Sequence, residues 1–266
     1  MTPRAQPKRA VVWFSCGATS AVAAKIACEG EYGELPVRVV YCDPGSEHPD
    51  NLRFLRDVEE WAGASVTVLR SDRYKDTWEV FEKRRYLSGP DGALCTYELK
   101  KRLAQEFRDV GGDVEVYGFD AGEMKRAANF RTNNPEVDLR TPLIDRGLTK
   151  PDCLAMLQRA GIELPAMYRL GFGNANCIGC VKGQMGYWNR IRRVFPETFS
   201  RMAKLERTLG KVEDGKPRGA AICKSYAGDK KRKRVFLDEL DPDAGRDDEP
   251  VPECGLLCAA TEREWE

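Results

Sequence analysis

The chain has 266 residues, with 43 Lys and Arg against 42 Asp and Glu, ten cysteines and one histidine. That length can bury a full hydrophobic core and suggests one sizeable domain with an appendage. A lone histidine, His48, argues against zinc enzymes built on two or three His ligands and against a Ser-His-Asp hydrolase. No apolar run approaches the 18 residues of a membrane span.

The first residues, M-T-P-R-A-Q-P-K-R, lead into a strand pattern and not into a signal peptide's apolar core, so a cytoplasmic protein is expected. Residues 10–14 (A-V-V-W-F) predict a buried strand, followed by the loop Ser15-Cys16-Gly17-Ala18-Thr19-Ser20 and an Ala-rich helix to about Glu29. Residues 37–42 predict a second strand. Asp50 then reads as the N-cap of a helix over 51–62, with Leu52, Leu55, Val58 and Trp61 on one face. Residues 65–70 and 114–119 predict two further strands, with a helix over 97–109, capped by Thr96, between them. Thr149 and Asp152 form a capping-box start for a helix ending near Gly161. Repeated β-α-β units imply an α/β fold with a mainly parallel, doubly wound sheet. The expected division is residues 1–170 for this domain and 171–266 for a helical, Cys-rich appendage. Within the appendage two helices meet near Pro196, followed by a basic hairpin-like stretch and an acidic linker over 241–253.

Charge is segregated along the chain. Residues 177–234 hold 16 basic side chains against 5 acidic ones, and residues 235–266 hold 2 against 11. The basic block, with Arg190, Arg192, Arg193 and the run from Lys230 to Arg234, could hold an anionic substrate or a nucleic-acid backbone, or pair with the chain's own acidic end. Trp188 among these arginines could stack a base or simply cover the core.

Two features carry chemistry. The loop 15–20 joins the first strand to the first helix, where unsatisfied N–H groups and the positive dipole end favour an anion. Gly17 permits close approach, and Ser15, Thr19 and Ser20 add hydroxyls. It is neither a Walker A loop nor a G-x-G-x-x-G turn. The second feature is Cys177-Ile-Gly-Cys180, whose spacing suits a zinc knuckle, half of an iron–sulfur site or a redox dithiol. Cys95 precedes it, and Cys254-Gly-Leu-Leu-Cys258 follows near the C-terminus. Cys28, Cys42, Cys153 and Cys223 read as core residues.

These motifs, in order, resemble the phosphoadenylyl-sulfate (PAPS) reductase-like family of the PP-loop, adenine nucleotide alpha-hydrolase-like superfamily. S-C-G-A-T-S resembles its S-G-G-x-x-S phosphate loop, and V-V-Y-C-D-P-G-S-E-H-P-D-N the segment after the second strand. Y-G-F-D-A-G-E-M-K-R resembles the G-I-R-x-x-E-S-x-x-R segment after the fourth. T-P-L-I-D-R-G-L-T-K-P-D-C, M-Y-R-L-G-F and C-I-G-C follow as in the family, and E-C-G-L at 253–256 resembles the reductases' tail. The chain departs from that pattern at Cys16 (a loop glycine), Leu94-Cys95 (a Cys pair), Asp120 (an Arg) and Leu257-Cys258 (where a His stands).

The resemblance implies ATP or an adenylyl-sulfate type nucleotide at 15–20, with thiol-dependent sulfur reduction or transfer. Asp43, at the end of the second strand, could meet a ribose hydroxyl or Mg; Glu123 and Arg126 could grip phosphate, or form an ordinary surface pair. Cys95, Cys177 and Cys180 match cluster-ligand positions, implying a 4Fe-4S cluster, with zinc as the alternative. Cys95 is expected as a thiolate at a helix N-terminus. Cys258 is taken as the fourth ligand and Cys254 as nucleophile or sulfur carrier; both tail cysteines as ligands, leaving Cys95 free, stays open. A small-molecule adenine nucleotide is the expected partner, with a thiol reductant protein besides. The rival readings are ATP-dependent thiolation of a nucleic acid held by residues 177–234, and a nucleotide-binding partner protein with a structural metal.

Overall fold

The computed structural model describes residues 7–89, 92–210, 212–213, 216–226, 232–246, 249–252 and 254. These form two compact units. One comprises the described residues of Met1–Asp43, Pro49–Arg70 and Arg102–Arg169; the other those of Pro44–His48, Ser71–Lys101 and Leu170–Glu266. The second unit thus draws in two segments that precede residue 170.

The first unit is built on five parallel strands: β1 (Arg9–Phe14), β2 (Val37–Cys42), β3 (Val66–Leu69), β4 (Asp113–Tyr117) and β5 (Asp138–Arg140), in the order β3-β2-β1-β4-β5. Parallel strands covered on both faces read as continuous apolar runs, and Ala10 to Val12 of β1 are fully buried. A buried carboxylate, Glu115, lies in β4 and is satisfied there by Trp13 Nε1 at 2.9 Å and the Tyr117 hydroxyl at 3.0 Å. The first helix, Ala18–Ile26, presents small residues to the sheet, and Ala21 to Ala24 are fully buried.

Local expectations needed correction at three points. Asp50 precedes the helix Asn51–Ala62 but makes no capping bond. Its carboxylate instead takes Arg53 Nε at 2.8 Å and the Ala166 N–H at 2.7 Å. The buried face of that helix is Phe54, Leu55, Val58 and Ala62, while Leu52 is exposed. A strict three-residue spacing rotates backwards by about 60° per step, so 52 and 61 end on opposite sides. Thr96 does not cap either: its helix begins at Leu94, with Ala93 before it, and continues through a π-type turn, Tyr97–Lys101. The Thr149/Asp152 capping box forms as expected, at the start of Lys150–Arg159.

In the second unit, helices Met185–Val194 and Pro196–Thr208 break at Pro196, and Cys223–Tyr226 pairs antiparallel with Arg232–Val235. Glu206, fully buried on the second of these helices, accepts the N–H of Ile222 at 2.5 Å and of Leu237 at 2.7 Å. It thereby ties both ends of the hairpin to the helix. Within the expected acidic linker 241–253, the described residues 241–246 and 249–252 are docked on this unit through Asp241, Ala244, Glu249 and Pro252. Among the described residues no helix is long and apolar enough to cross a membrane.

Burial raises the Glu206 pKa from 4.5 to about 7, against the pull of its two backbone donors. A carboxyl raised on folding stabilises most below its unfolded pKa, and that contribution is lost as pH climbs to the folded one. Between pH 4.5 and 7 the unit should therefore lose up to about 3 kcal/mol that a Glu206→Gln variant does not, at about 1.4 kcal/mol per pKa unit. Urea titrations of both proteins across that window check this; parallel pH profiles would refute it.

Candidate functional site

The loop 15–20 leaves β1 where the strand order reverses, with β2 on one side and β4 on the other. In open parallel sheets ligands gather at such a point. Ser20, buried, spends its hydroxyl on the loop: Oγ accepts the Ser15 N–H at 3.1 Å and donates to Gly17 O at 3.0 Å. Its part is therefore to shape the loop. Gly17 stands at the N-cap with no side-chain cap, and the first turn carries no acidic residue. The Ala18 N–H is met by the Tyr168 hydroxyl at 3.3 Å. Cys16 adopts φ 53, the left-handed region that a glycine would occupy without strain, and its buried thiol lies 3.8 Å from Asn51 O.

Gly118, just past β4, is a residue that the sequence did not single out. A Cβ there would come within 2.7 Å of Ser20 N and Cα, so only glycine lets β4's exit approach the helix start. Asp43 lies at the end of β2 and pairs with Arg70 at 2.9 Å. Glu123 and Arg126 pair with each other at 2.5 Å, the ordinary i,i+3 arrangement. Asp120 accepts the Gly122 N–H at 2.7 Å and closes a capping box with Glu123. This local role accounts for an acid where the resembled family carries Arg.

The second unit gathers thiols. Cys95, Cys177 and Cys180 are buried, Cys254 is half-buried, and all nine described cysteines are free. The charge of Cys254 raises the pKa of Cys95, Cys177 and Cys180, after burial in the first and third. For Cys177, burial and the Glu47 carboxylate come first. The Cys180 thiol is pushed up to about 12. Cys95 is thus a neutral thiol without a bound cation, because burial outweighs the helix end. Cys258 lies outside the described residues.

Around the thiols stand groups that sequence reasoning missed. Lys100 and Glu47, both buried, pair at 3.0 Å. Burial works against the Lys100 ammonium, but Glu47, Cys254 and Cys177 hold its pKa well above the usual value. The only signal in the sequence is position: Lys100 falls five residues after Cys95, within the π-type turn, a geometry that recurs at functional sites. The Tyr187 hydroxyl accepts the N–H of Gly179 at 3.1 Å and of Cys180 at 2.9 Å, and donates to Cys177 O at 3.2 Å. One side chain thereby shapes the whole Cys-x-x-Cys turn.

Four sulfur donors without histidine suit zinc or an iron–sulfur cluster, and Lys100 and Lys182 offset thiolate charge. Among the described residues, however, no three His, Cys, Asp or Glu side chains are drawn together tightly enough to hold a metal ion.

The basic block is partly consumed internally. Arg192 donates to Leu237 O and Leu240 O and lies over Phe199, and Arg207 pairs with Asp238 and Glu239. Trp188 is fully buried beside Tyr187 and Phe199, so it cannot stack a base. Lys233 and Arg234 are exposed; Lys230 and Lys231 lie outside the described residues.

No known family profile matches the chain. It is 23% identical over 172 residues to an uncharacterized protein of Methanocaldococcus jannaschii, covering 62% of this chain and 35% of that protein. It is 27% identical over 199 residues to an uncharacterized nin-region protein of Escherichia phage lambda, covering 65% of each. The chain thus spans about a third and just under two thirds of these relatives' lengths. Among solved structures it is similar to PAPS reductase of Candida auris in a phosphate complex, with 13% identity, a TM-score of 0.48, and coverage of 64% of this chain and 81% of that one. The five parallel strands in the order 3-2-1-4-5 give the α/β fold with a mainly parallel sheet that the sequence leads one to expect.

Removing the Tyr187 hydroxyl orphans two N–H groups and a carbonyl, at about 1–3 kcal/mol for each group left unsatisfied. Tyr187→Phe should therefore loosen the turn and speed alkylation of Cys177 and Cys180 several-fold, read by mass spectrometry of thiol-trapped peptides. Unchanged trapping rates would show that the hydroxyl does not hold the turn.

Proposed function

We propose that this protein is a PAPS reductase-like enzyme of the PP-loop type. It binds an adenine nucleotide or adenylyl-sulfate at residues 15–20 and carries out thiol-dependent sulfur reduction or transfer. The observation that carries this reading is the uncapped, Gly-containing helix start placed at the reversal of strand order, with Gly118 clearing its flank. Such a helix start offers N–H donors and the positive end of the dipole to a phosphate.

The chemistry asked of the protein is a two-electron step. A thiolate attacks the sulfur of an adenylyl-sulfate type donor, the bond from sulfur to the phosphate-side oxygen breaks, and AMP or its 3′-phosphate leaves. A second thiol, from the chain or from a thiol reductant protein, then releases sulfite and leaves a disulfide. Cys95, Cys177 and Cys180, with a thiol of the C-terminal segment, would hold an iron–sulfur cluster, or zinc. That group would supply a fixed positive centre and keep buried thiols deprotonated. Cytoplasmic thiol pools suit both the cofactor and the reductant step.

The intact protein should bind ATP or adenylyl-sulfate with micromolar affinity, on the order of 8 kcal/mol. A Cβ at Gly17 meets only ordinary contacts, Ser15 Oγ at 3.5 Å and the Tyr168 hydroxyl at 3.6 Å, so bulk there tests ligand approach more than folding. Gly17→Val should weaken binding at least tenfold, while Ser20→Ala should act indirectly by relaxing the loop. Calorimetry that finds neither nucleotide bound by the intact protein would remove the basis of the reading.

A further inference from the structure

We propose that Cys254 is the fourth sulfur of the thiol set formed by Cys95, Cys177 and Cys180, and that the docked residues 241–246 and 249–252 act as a strap that delivers it there. The assignment rests on the thiol-held cofactor of the preceding section and reverses the expected roles of the two tail cysteines.

The strap is fastened along its length to the segments that flank the Cys-x-x-Cys turn. Asn189 Nδ2 donates to Asp241 O and Ala244 O, each at 2.8 Å. Gly245, at φ 96, lies backbone to backbone against Gly186. A Cβ on Gly245 would collide with the Gly186 backbone, and one on Gly186 would come within 2.6 Å of Arg246 O. Glu249 accepts the N–H of Gly186 at 2.9 Å and of Tyr187 at 3.2 Å, and so caps the helix Met185–Val194 from outside. Its negative charge also sits at the positive end of that helix. Pro252 O accepts both Asn174 Nδ2, at 2.7 Å, and Asn176 Nδ2.

The last of these anchors lies two residues before Cys254, a reach of at most about 7 Å. The Cys254 sulfur itself is 3.4 Å from Thr96 Oγ1, on the residue after Cys95. Cys254 is therefore held between the two parts of the chain that supply the other thiols. A thiol that must swing to a substrate gains nothing from a tether bonded this often, whereas a ligand gains pre-organisation. The Asn, Gly and Glu residues that hold the strap find their use in this seating. Cys258, four residues further on, is left as the tail thiol available to carry sulfur.

The test uses the full chain, purified anaerobically and reconstituted with ferrous iron and sulfide or with zinc, and reads metal per chain and visible absorbance. Cys254→Ala should lose at least half of the bound metal, and Cys258→Ala should keep the wild-type content. Gly245→Val keeps every thiol but wedges the strap from its helix, and should fall towards the Cys254→Ala value; circular dichroism checks that each variant is folded. Wild-type metal content in Cys254→Ala, with loss in Cys258→Ala, would overturn the assignment. Wild-type content in Gly245→Val would overturn the role of the strap. Wild-type protein that takes up neither metal would overturn the assignment and the cofactor together, whereas nucleotide binding is measured separately and stands or falls by itself.

Discussion

The first unit depends on one constraint, the reversal of strand order beside β1. Because β2 and β4 flank β1 on opposite sides, the connections diverge there, at the start of the first helix. The local arrangement follows from keeping that junction ordered. β4 must leave the sheet against the backbone of Thr19 and Ser20, which only Gly118 allows. The loop must hold its shape without borrowing the helix's donors, which the Ser20 hydroxyl achieves by bonding to Ser15 and Gly17.

The second unit meets a different demand. Its cysteine turn has neither helix nor sheet to satisfy the backbone, and buried N–H and C=O groups left unpaired are costly. Side chains and distant carbonyls do the pairing. Tyr187 serves three groups of the turn, Ser46 O takes the Ile178 N–H at 2.9 Å, and the Pro252 carbonyl receives two asparagines. Such a turn has its shape set by tertiary contacts, so thiol placement and tail docking are one structural event. In the buried Glu47–Lys100 pair the ammonium opposes the burial that raises the Cys95 and Cys177 pKa, while the carboxylate raises that of Cys177.

The core strands and the Thr149 capping box were legible because continuous apolar runs and short-range caps are local signals. Asp50 and Thr96 were misread for a related reason. Each has the chemistry of a cap, but another partner claimed it: the nearby Arg53 and the distant Ala166 for Asp50, the Cys254 sulfur for Thr96. The run 241–252 looked like a linker because Asp and Pro dominate it, and composition does not reveal that an asparagine pair and a helix end await its carbonyls and its glutamate. Lys100 and Glu47 were hidden because those residue types are exposed by default, and their burial together depends on the fold. The Cys-x-x-Cys spacing pointed to a pair of thiols, but not to Cys254 standing 3.4 Å from Thr96 Oγ1.

The departures from the resembled family act locally and preserve the loop. Cys16 holds a left-handed conformation costing about 1–2 kcal/mol for a residue with a Cβ. Its thiol is fully buried in the core of the first unit, and burying so small a hydrophobe returns about the same amount. The exchange of glycine for cysteine is thus close to neutral, and the loop backbone keeps its course. Asp120 stands where the resembled family carries Arg and spends its carboxylate on the Gly122 N–H. A cation stands near it. Lys150, its pKa lowered by burial and pulled back up by Asp120 and Glu123, lies over the ring of Tyr168, whose hydroxyl meets the Ala18 N–H. The acid at 120 thus counters the burial of the lysine next to the tyrosine that touches the loop.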